Sequence, residues 1–220
     1  MSMVPCRVVI LGGKGTAVNI AEQIDDAHRN HQYPMTVEGF GIDDPGLGNS
    51  IAGFPVVCGL HDAWPKYRDA QVQFIFGLYR PDVMERRVAL LRQLGIPTER
   101  YANFIHPSAY ISSSATFGQG NVILSNASLQ HSVRLGNHNI VNSNVVIEHE
   151  ATLSNSVFIA AAACIGARVG IADGAFVGLA ATIREDIAIG AYSFVGMASA
   201  VLGDVAARSV VYGLPASRKS

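Results

Sequence analysis

Two histidines are the side chains of this chain best suited to chemistry. His149 stands between Glu148 and Glu150, and His131 lies 18 positions earlier. An imidazole can remove a proton from an attacking amine or hydroxyl near neutral pH, and an adjacent carboxylate can fix its tautomer. Neighbouring residues of a strand face opposite ways, so Glu150 reaches the ring only if a corner intervenes. Glu148 is therefore the other candidate for the carboxylate partner of His149. The alternative to a chemical role is that His149 is an ordinary solvated surface residue.

A six-residue repeat sets this spacing. Period six fits neither a helix nor a plain strand, but it is typical of a parallel β-helix, in which three hexads close one triangular coil. The leading side chain of each hexad is predicted to fill the interior, and small residues are predicted to let the chain bend. The leads run in one phase without an insertion: Ile105, Ile111, Phe117, Ile123, Leu129, Leu135, Val141, Ile147, Leu153, Ile159, Ile165, Ile171, Val177, Ile183, Ile189, Val195 and Val201.

The coil length of three hexads predicts which side chains meet. His131 and His149 each lie two positions after a lead, so they should stack on one side of the prism, one coil apart. Ala167 should follow one coil further along. For His131 alone, a surface role is favoured over a chemical one.

The first hundred residues carry a different pattern. A β-branched strand, Arg7 to Leu11, leads into Gly12-Gly13-Lys14-Gly15, and an amphipathic helix follows. Free N–H groups at such a helix start can hold phosphate, although a tight turn without a ligand is the alternative. The third glycine of a dinucleotide fingerprint would fall at Val18, which argues against an oxidoreductase.

A second possible ligand contact follows the next predicted strand, Thr36 to Ile42. Asp43 and Asp44 come at its carboxyl end, where open α/β sheets bind ligands, and they could accept hydrogen bonds from a sugar or a base. A polar turn is the alternative, since Asp-Asp-Pro-Gly is also a turn sequence. Further elements are predicted as two strands, Pro55 to Cys58 and Gln73 to Phe76, and a helix, Pro81 to Leu94.

Composition excludes several classes of protein. Hydrophobic residues make up 49% and charged residues 15%, so a sizeable core is available. The net charge of −1 does not indicate the excess of basic residues that is typical of nucleic-acid binding. The three cysteines are widely spaced and read as thiols of a reducing compartment. The N-terminus lacks a signal-peptide layout, and no apolar run could insert in a membrane, so a cytoplasmic location is expected.

The repeat resembles the left-handed β-helix of hexapeptide acyltransferases. The whole chain resembles one subfamily, the bacterial sugar acetyltransferases of the sialic-acid O-acetyltransferase and bacillosamine-pathway N-acetyltransferase type. The most specific match runs from Ile140 to Glu150, and Gly213-Leu214-Pro215-Ala216 matches the family's terminal Gly-x-Pro-Ala. The resemblance implies an α/β N-terminal Rossmann-like domain at 1–104, followed by a left-handed parallel β-helix at 105–220. It also implies a homotrimer with active sites between neighbouring prisms.

The same resemblance implies residue roles. His149 is the general base, Glu150 its partner, Asn142 a sugar contact, and the backbone N–H near Ala167 orients the acetyl group. Acetyl-CoA would lie between prisms, with basic side chains such as Arg184, Arg208 or Arg218 near its phosphates. Family histidines are replaced here by Thr16 and Phe158, so Lys14 is expected to supply phosphate charge and Phe158 to line the acetyl-CoA side. No metal is expected.

The function implied is acetyl-CoA-dependent N-acetylation of a nucleotide-linked amino-dideoxy sugar in bacterial surface-glycan synthesis. UDP, GDP and dTDP remain open as the nucleotide. One alternative is O-acetylation of a sugar or sialic acid hydroxyl by the same base. Another is a non-catalytic β-helical scaffold or sugar-nucleotide sensor.

Overall fold

The computed structural model describes residues 5–218 and opens with a small α/β region. Its sheet has the order β3-β4-β2-β1-β5, parallel except for the short β3, which pairs antiparallel with β4. Residues 1–4 and 219–220, the ends of the two predicted domains, lie outside this description. The strands are β1 (Cys6–Leu11), β2 (Met35–Gly41), β3 (Ser50–Ile51), β4 (Phe54–Cys58) and β5 (Val72–Phe76).

Three α-helices accompany this sheet: α1 (Thr16–His31), α2 (Ala63–Tyr67) and α3 (Met84–Gln93). The helix predicted from Pro81 is shorter than expected, because Pro81–Val83 forms a separate 3-10 turn before α3. The longest helix, α1, has 16 residues, and within residues 5–218 no helix combines the length and apolar character needed to cross a bilayer.

The repeat forms a parallel β-helix in which every lead residue closes a strand of two residues. Up to the strand that ends at Ile183, each strand pairs in parallel with the one three hexads further on, as Ile147 does with Ile165. This pairing fits the left-handed β-helix implied by the resemblance. The strands are β6 (Phe104–Ile105), β7 (Tyr110–Ile111), β8 (Thr116–Phe117), β9 (Val122–Ile123), β10 (Ser128–Leu129), β11 (Arg134–Leu135), β12 (Ile140–Val141), β13 (Val146–Ile147), β14 (Thr152–Leu153), β15 (Phe158–Ile159), β16 (Cys164–Ile165), β17 (Gly170–Ile171), β18 (Phe176–Val177), β19 (Thr182–Ile183), β20 (Ala188–Ile189), β21 (Phe194–Val195) and β22 (Ala200–Val201).

These strands make three flat faces. Face 1 contains β6, β9, β12, β15, β18 and β21, and is extended by the closing hairpin of β23 (Val210–Gly213) and β24 (Ala216–Arg218). Face 2 contains β7, β10, β13, β16, β19 and β22, and face 3 contains β8, β11, β14, β17 and β20. The leads point inward as predicted and form one apolar core. Ile105, Ile111 and Phe117 are only half-buried, since they form the first coil and have coil packing on one side only.

The bends lie elsewhere than the sequence suggested. The third residue after a lead, not the residue directly after it, takes a left-handed conformation, with φ of 63° at Glu150 and 58° at Arg168. The small residue after the lead is needed for a different reason. A Cβ on Gly166 would lie 2.5 Å from the backbone N of Glu185 in the next coil, so only glycine allows that approach of the two coils.

The α/β region packs against face 1, as expected for halves without a linker. One core cluster includes side chains of both parts, and the rings of Tyr79 and Phe158 lie 6.4 Å apart within it. The Tyr79 hydroxyl also donates to the His138 carbonyl at 2.9 Å. At another edge of face 1, Gln23 accepts from the Ser125 N–H at 2.9 Å. Because this core is continuous, the division at residue 104 stays a prediction.

Acidification should destabilise this packing through His138. Burial lowers the pKa of His138 to about 4 from its ordinary value of 6.5, and the ring packs edge-on against Tyr101 at 4.5 Å. Between these values the unfolded chain binds the proton and the folded chain does not. The contribution to the free energy of unfolding is therefore complete above pH 6.5 and falls by about 3 kcal/mol as the pH drops through 4.

Urea unfolding at several pH values across this window would measure the loss. His138→Asn, which keeps a residue that tolerates the left-handed corner, should flatten the pH dependence. His61→Asn, at an exposed histidine, should leave it unchanged. If the free energy of unfolding fell equally with pH in His138→Asn and in the unsubstituted protein, the pH dependence could not be assigned to His138.

Candidate functional site

The two predicted histidines meet at one edge of the prism. We call this edge, with His131, His149, Glu150 and Ala167, the histidine corner; it lies between faces 2 and 3. The imidazole rings of His131 and His149 stack with centroids 5.0 Å apart and parallel planes. The prediction from the three-hexad spacing is confirmed.

Glu150, not Glu148, is the glutamate that contacts His149. Its left-handed backbone turns the side chain back, so that Glu150 Oε2 lies 3.0 Å from His149 Nδ1. A ring that donates its Nδ1–H to a carboxylate keeps the lone pair of Nε2 free. The side chain of His149 is 35% exposed, so this lone pair can be reached by a bound molecule.

Ala167 follows His149 by one coil and offers a free amide. The carbonyls of both residues accept hydrogen bonds from the coil beyond them, from the N–H of Arg168 at 2.9 Å and of Asp186 at 3.0 Å respectively. The N–H of Ala167 has no backbone acceptor within residues 5–218. A donor beside the imidazole is therefore available for an oxygen that develops negative charge.

Charged residues flank this corner in the coils that follow. Arg168 forms a bidentate pair with Asp186, at 2.6 Å from Nε and 2.7 Å from Nη2, and this guanidinium holds the pKa of the Asp186 carboxyl below its ordinary value. Sequence reasoning missed this pair. Arg168 follows Glu150 by one coil and Asp186 follows Arg168 by another, so the spacing would have placed all three in one row. Arg184 is exposed and lies two coils beyond Glu148, where the resemblance implied a phosphate contact.

Two residues predicted for the site lie on face 1 instead. Asn142 is 8% exposed, and its side-chain amide donates to the Ile159 carbonyl at 2.8 Å. Phe158 is 7% exposed and stacks on Phe176 with ring centroids 4.4 Å apart. Phe158 thus packs under the α/β region, and its expected acetyl-CoA contact stays a prediction. Because the amide nitrogen of Asn142 is engaged in this way, its side-chain oxygen is the atom left to accept a hydrogen bond from a sugar.

The residues predicted to bind a nucleotide lie together in a second place. We call it the glycine-loop cleft, a cavity of about 650 Å³ at the carboxyl ends of β1, β2 and β5. It is lined by Gly13, Lys14, Gly15, Asp43 and Asp44. Gly12 lies behind the loop, where a Cβ would come within 3.0 Å of the Ala17 side chain.

The polar groups of this cleft are partly engaged with one another. Lys14 Nζ lies 2.7 Å from Asp44 Oδ2, which lowers the pKa of the Asp44 carboxyl. The other oxygen of Asp44 accepts from the Gly46 N–H at 3.0 Å, so the turn interpretation of this aspartate is also correct. Asp43 accepts from the Leu60 N–H at 2.8 Å.

Among the polar and charged lining residues, three were not predicted as ligand contacts: Tyr79, Arg80 and Arg87. Tyr79 and Arg80 follow β5, and ligands of open parallel sheets bind beyond such strand ends, so their position carried a usable signal. Arg87 lies on α3, and nothing in the sequence pattern directs its side chain to the cleft.

One group of residues has the composition of a metal site. Ligand atoms of Asp26, His31 and His106 lie within 4.8 Å of one another. However, His106 Nδ1 accepts from the N–H of Ser108 at 3.1 Å, so Nε2 carries the proton and faces Asp26 Oδ2 at 3.6 Å. This arrangement is an imidazole–carboxylate pair between α1 and the first coil.

The histidine corner and the glycine-loop cleft do not meet within one chain. The cleft belongs to the α/β region, which packs on face 1. The corner lies between faces 2 and 3, at the edge of the triangular prism opposite face 1.

Comparison with known proteins gives similarity at the level of structure. No family model matches this sequence, and no curated protein matches it significantly. A mutant of perosamine N-acetyltransferase from Caulobacter crescentus, in complex with CoA and GDP-perosamine, has a TM-score of 0.83 and 25% identity, covering 97% of this chain and 96% of that one. The acetyltransferase domain of PglB from Neisseria gonorrhoeae, in complex with acetyl coenzyme A, has a TM-score of 0.83 and 23% identity, covering 98% and 100%.

A third solved structure, WeeI from Acinetobacter baumannii, has a TM-score of 0.80 and 22% identity, covering 97% of this chain and 100% of that one. All three extend across both the α/β region and the β-helix. The resemblance found in the sequence is confirmed: this chain has the architecture of the hexapeptide-repeat sugar acetyltransferases.

Proposed function

We propose that this protein transfers an acetyl group from acetyl-CoA to the amine of a nucleotide-linked amino-dideoxy sugar. One observation carries the proposal. A histidine oriented by a carboxylate stands beside a free backbone N–H, in a chain with the architecture of an N-acetyltransferase solved with CoA and GDP-perosamine. These are the two groups that acyl transfer to an amine requires, a base and an oxyanion donor.

The mechanism follows from the positions of these groups. Nε2 of His149 takes the proton as the amine nitrogen bonds to the thioester carbonyl carbon. The N–H of Ala167 donates to the oxygen as it becomes negative, an interaction worth roughly 3 kcal/mol in comparable sites. The carbon–sulfur bond then breaks, and the imidazolium returns its proton to the departing thiolate. Glu150 holds the ring in the required tautomer throughout.

The nucleotide half of the acceptor is assigned to the glycine-loop cleft. A Rossmann-like role for the α/β region is supported by a glycine loop between β1 and α1 and by carboxylates at the end of β2. Its volume of about 650 Å³ lies within the usual range for small-molecule sites.

The acceptor must then bridge two copies of the chain. Within one copy the cleft and the histidine corner lie on opposite sides of the prism, so a neighbouring copy has to bring its cleft to the corner. Six large apolar side chains that are more than half exposed also favour a partner: Tyr110, Leu179, Met197, Leu202, Tyr212 and Leu214. We propose a closed homotrimer, the assembly implied by the resemblance, with acetyl-CoA in the groove between prisms and Arg184 near its phosphates.

The direct test is a panel of UDP-, GDP- and dTDP-linked amino sugars with acetyl-CoA, followed by thiol release and by mass spectrometry of the product. The matched hydroxyl sugars in the panel separate N- from O-acetylation. Thiol release with an amino sugar and not with its hydroxyl analogue is the expected result. No transfer to any member would favour the scaffold or sensor alternative.

His149→Ala should reduce turnover roughly 10²–10⁴-fold, the usual contribution of a general base. Folding and assembly should be unaffected, because the side chain lies on the outside of the prism. His131→Asn, one coil away, should cost much less, since its ring has no carboxylate partner. Turnover at the unsubstituted level in His149→Ala would end the mechanism.

The two carboxylates beside His149 give a matched pair of variants. Glu150→Gln should reduce turnover more than Glu148→Gln, because only Glu150 contacts Nδ1. The expected loss in Glu150→Gln lies between those of His131→Asn and His149→Ala, since the base remains but its orientation weakens. The reverse order of the two glutamine variants would assign the orienting role to Glu148.

Mixed assemblies test whether two copies build one site. Gly15→Glu should block the cleft, because glycine there has a φ of 51° and the new carboxylate would meet the phosphates. Gly15→Glu and His149→Ala should each be inactive alone, yet a co-expressed mixture should regain part of the activity. In such trimers some sites combine an intact cleft from one copy with an intact corner from another. No recovery in verified mixed trimers would place each site within a single copy.

A further inference from the structure

The glycine-loop cleft is lined by three cationic side chains, and two of them are already paired. Lys14 lies 2.7 Å from Asp44, and Arg80 holds Asp82 with both Nε, at 3.0 Å, and Nη2. Their charges are largely balanced before any ligand arrives.

Arg87 differs from both. Within residues 5–218 it forms no ion pair, and its Nε is buried without a hydrogen-bond partner. Buried donors in proteins are nearly always paired, because an unpaired one loses its hydration without compensation. An unpaired guanidinium that lines an open cleft can bind an anionic ligand there through charge-assisted hydrogen bonds.

A second part of the cleft lining, the start of α1, is also suited to an anion. The helix α1 begins there at Thr16, and its N-cap, Gly15, supplies no side-chain hydrogen bond to the first turn. The free N–H groups and the positive end of the helix dipole therefore remain available to a ligand.

We propose that Arg87 binds the diphosphate of the nucleotide-linked substrate, clamping it against the start of α1. This inference rests on the proposed function, which supplies the nucleotide-linked acceptor. Arg87, rather than Lys14, then provides the phosphate charge in a chain that has Thr16 where the family has a histidine. The planar guanidinium can hold two phosphate oxygens at once, a geometry that a lysine ammonium does not offer.

The charge also sets the direction of the substrate. A protonated sugar amine is repelled by Arg87, while the diphosphate is attracted to it. The substrate is therefore held by its phosphates, and its amine extends out of the cleft toward the base of the neighbouring copy.

Calorimetric titration of the full chain with UDP, GDP and dTDP, and with uridine, guanosine and thymidine, tests this assignment. Arg87→Gln should weaken binding of the preferred diphosphate about ten- to hundredfold and leave the matched nucleoside nearly unchanged. Arg87→Lys should recover only part of the loss. Arg86→Gln is the matched control, because it removes the same charge from the neighbouring, exposed position of α3, outside the cleft.

Each remaining outcome decides between the two proposals. Equal diphosphate affinity in Arg87→Gln and Arg86→Gln would overturn the role of Arg87 and leave the proposed function standing. A parallel loss of nucleoside and diphosphate binding in a folded Arg87→Gln, checked by circular dichroism, would also overturn it. An unsubstituted protein that binds none of the diphosphates would instead overturn the nucleotide-linked acceptor itself.

Discussion

The burial of one apolar side chain in every six is the constraint on which the rest of the structure depends. Each lead residue must face the prism interior, so a coil can contain neither more nor less than three hexads without exposing leads to water. Side chains one coil apart are thereby superposed whether or not they attract each other. His131, His149 and Ala167 owe their alignment to this core and not to contacts among themselves. Their positions are therefore set by the regular packing of the whole prism, which is the kind of support that a precisely placed site needs.

The corners turn this regular scaffold into a site. A left-handed residue stands three positions after every lead from Phe117 to Val195. A residue other than glycine or asparagine adopts this conformation at a cost of roughly 1–2 kcal/mol. At Glu150 the same conformation directs the carboxylate back to the preceding imidazole. The left-handed corner that the fold requires therefore also produces the His149–Glu150 contact on which the proposed mechanism relies. A straight strand would have sent the two side chains to opposite sides.

Residue spacing fixes some features of this structure and leaves others open, and this explains what could be predicted from the sequence. The period of six predicted the coils, the inward leads and the stacked histidines, because all three depend only on spacing. The choice between Glu148 and Glu150 depends on one backbone dihedral, which spacing does not determine. The pairing of Lys14 with Asp44 and the burial of Phe158 under Tyr79 depend on side-chain packing between distant segments. Arg87 was missed for the same reason, since an unpaired arginine can be recognised only once its surroundings are known.

The placement of the α/β region on face 1 has the widest consequence. That face is the one most distant from the histidine corner, so the α/β region does not cover His149 of its own chain. In the proposed mechanism, a monomer would therefore have a base without a bound acceptor and a nucleotide cleft without a base beside it. Face 1 is occupied, and faces 2 and 3 with their shared corner are the surfaces left to meet another copy. Under the proposed function, acetyl transfer would thus depend on assembly, because the first hundred residues fold back onto the side of the prism away from the histidine corner.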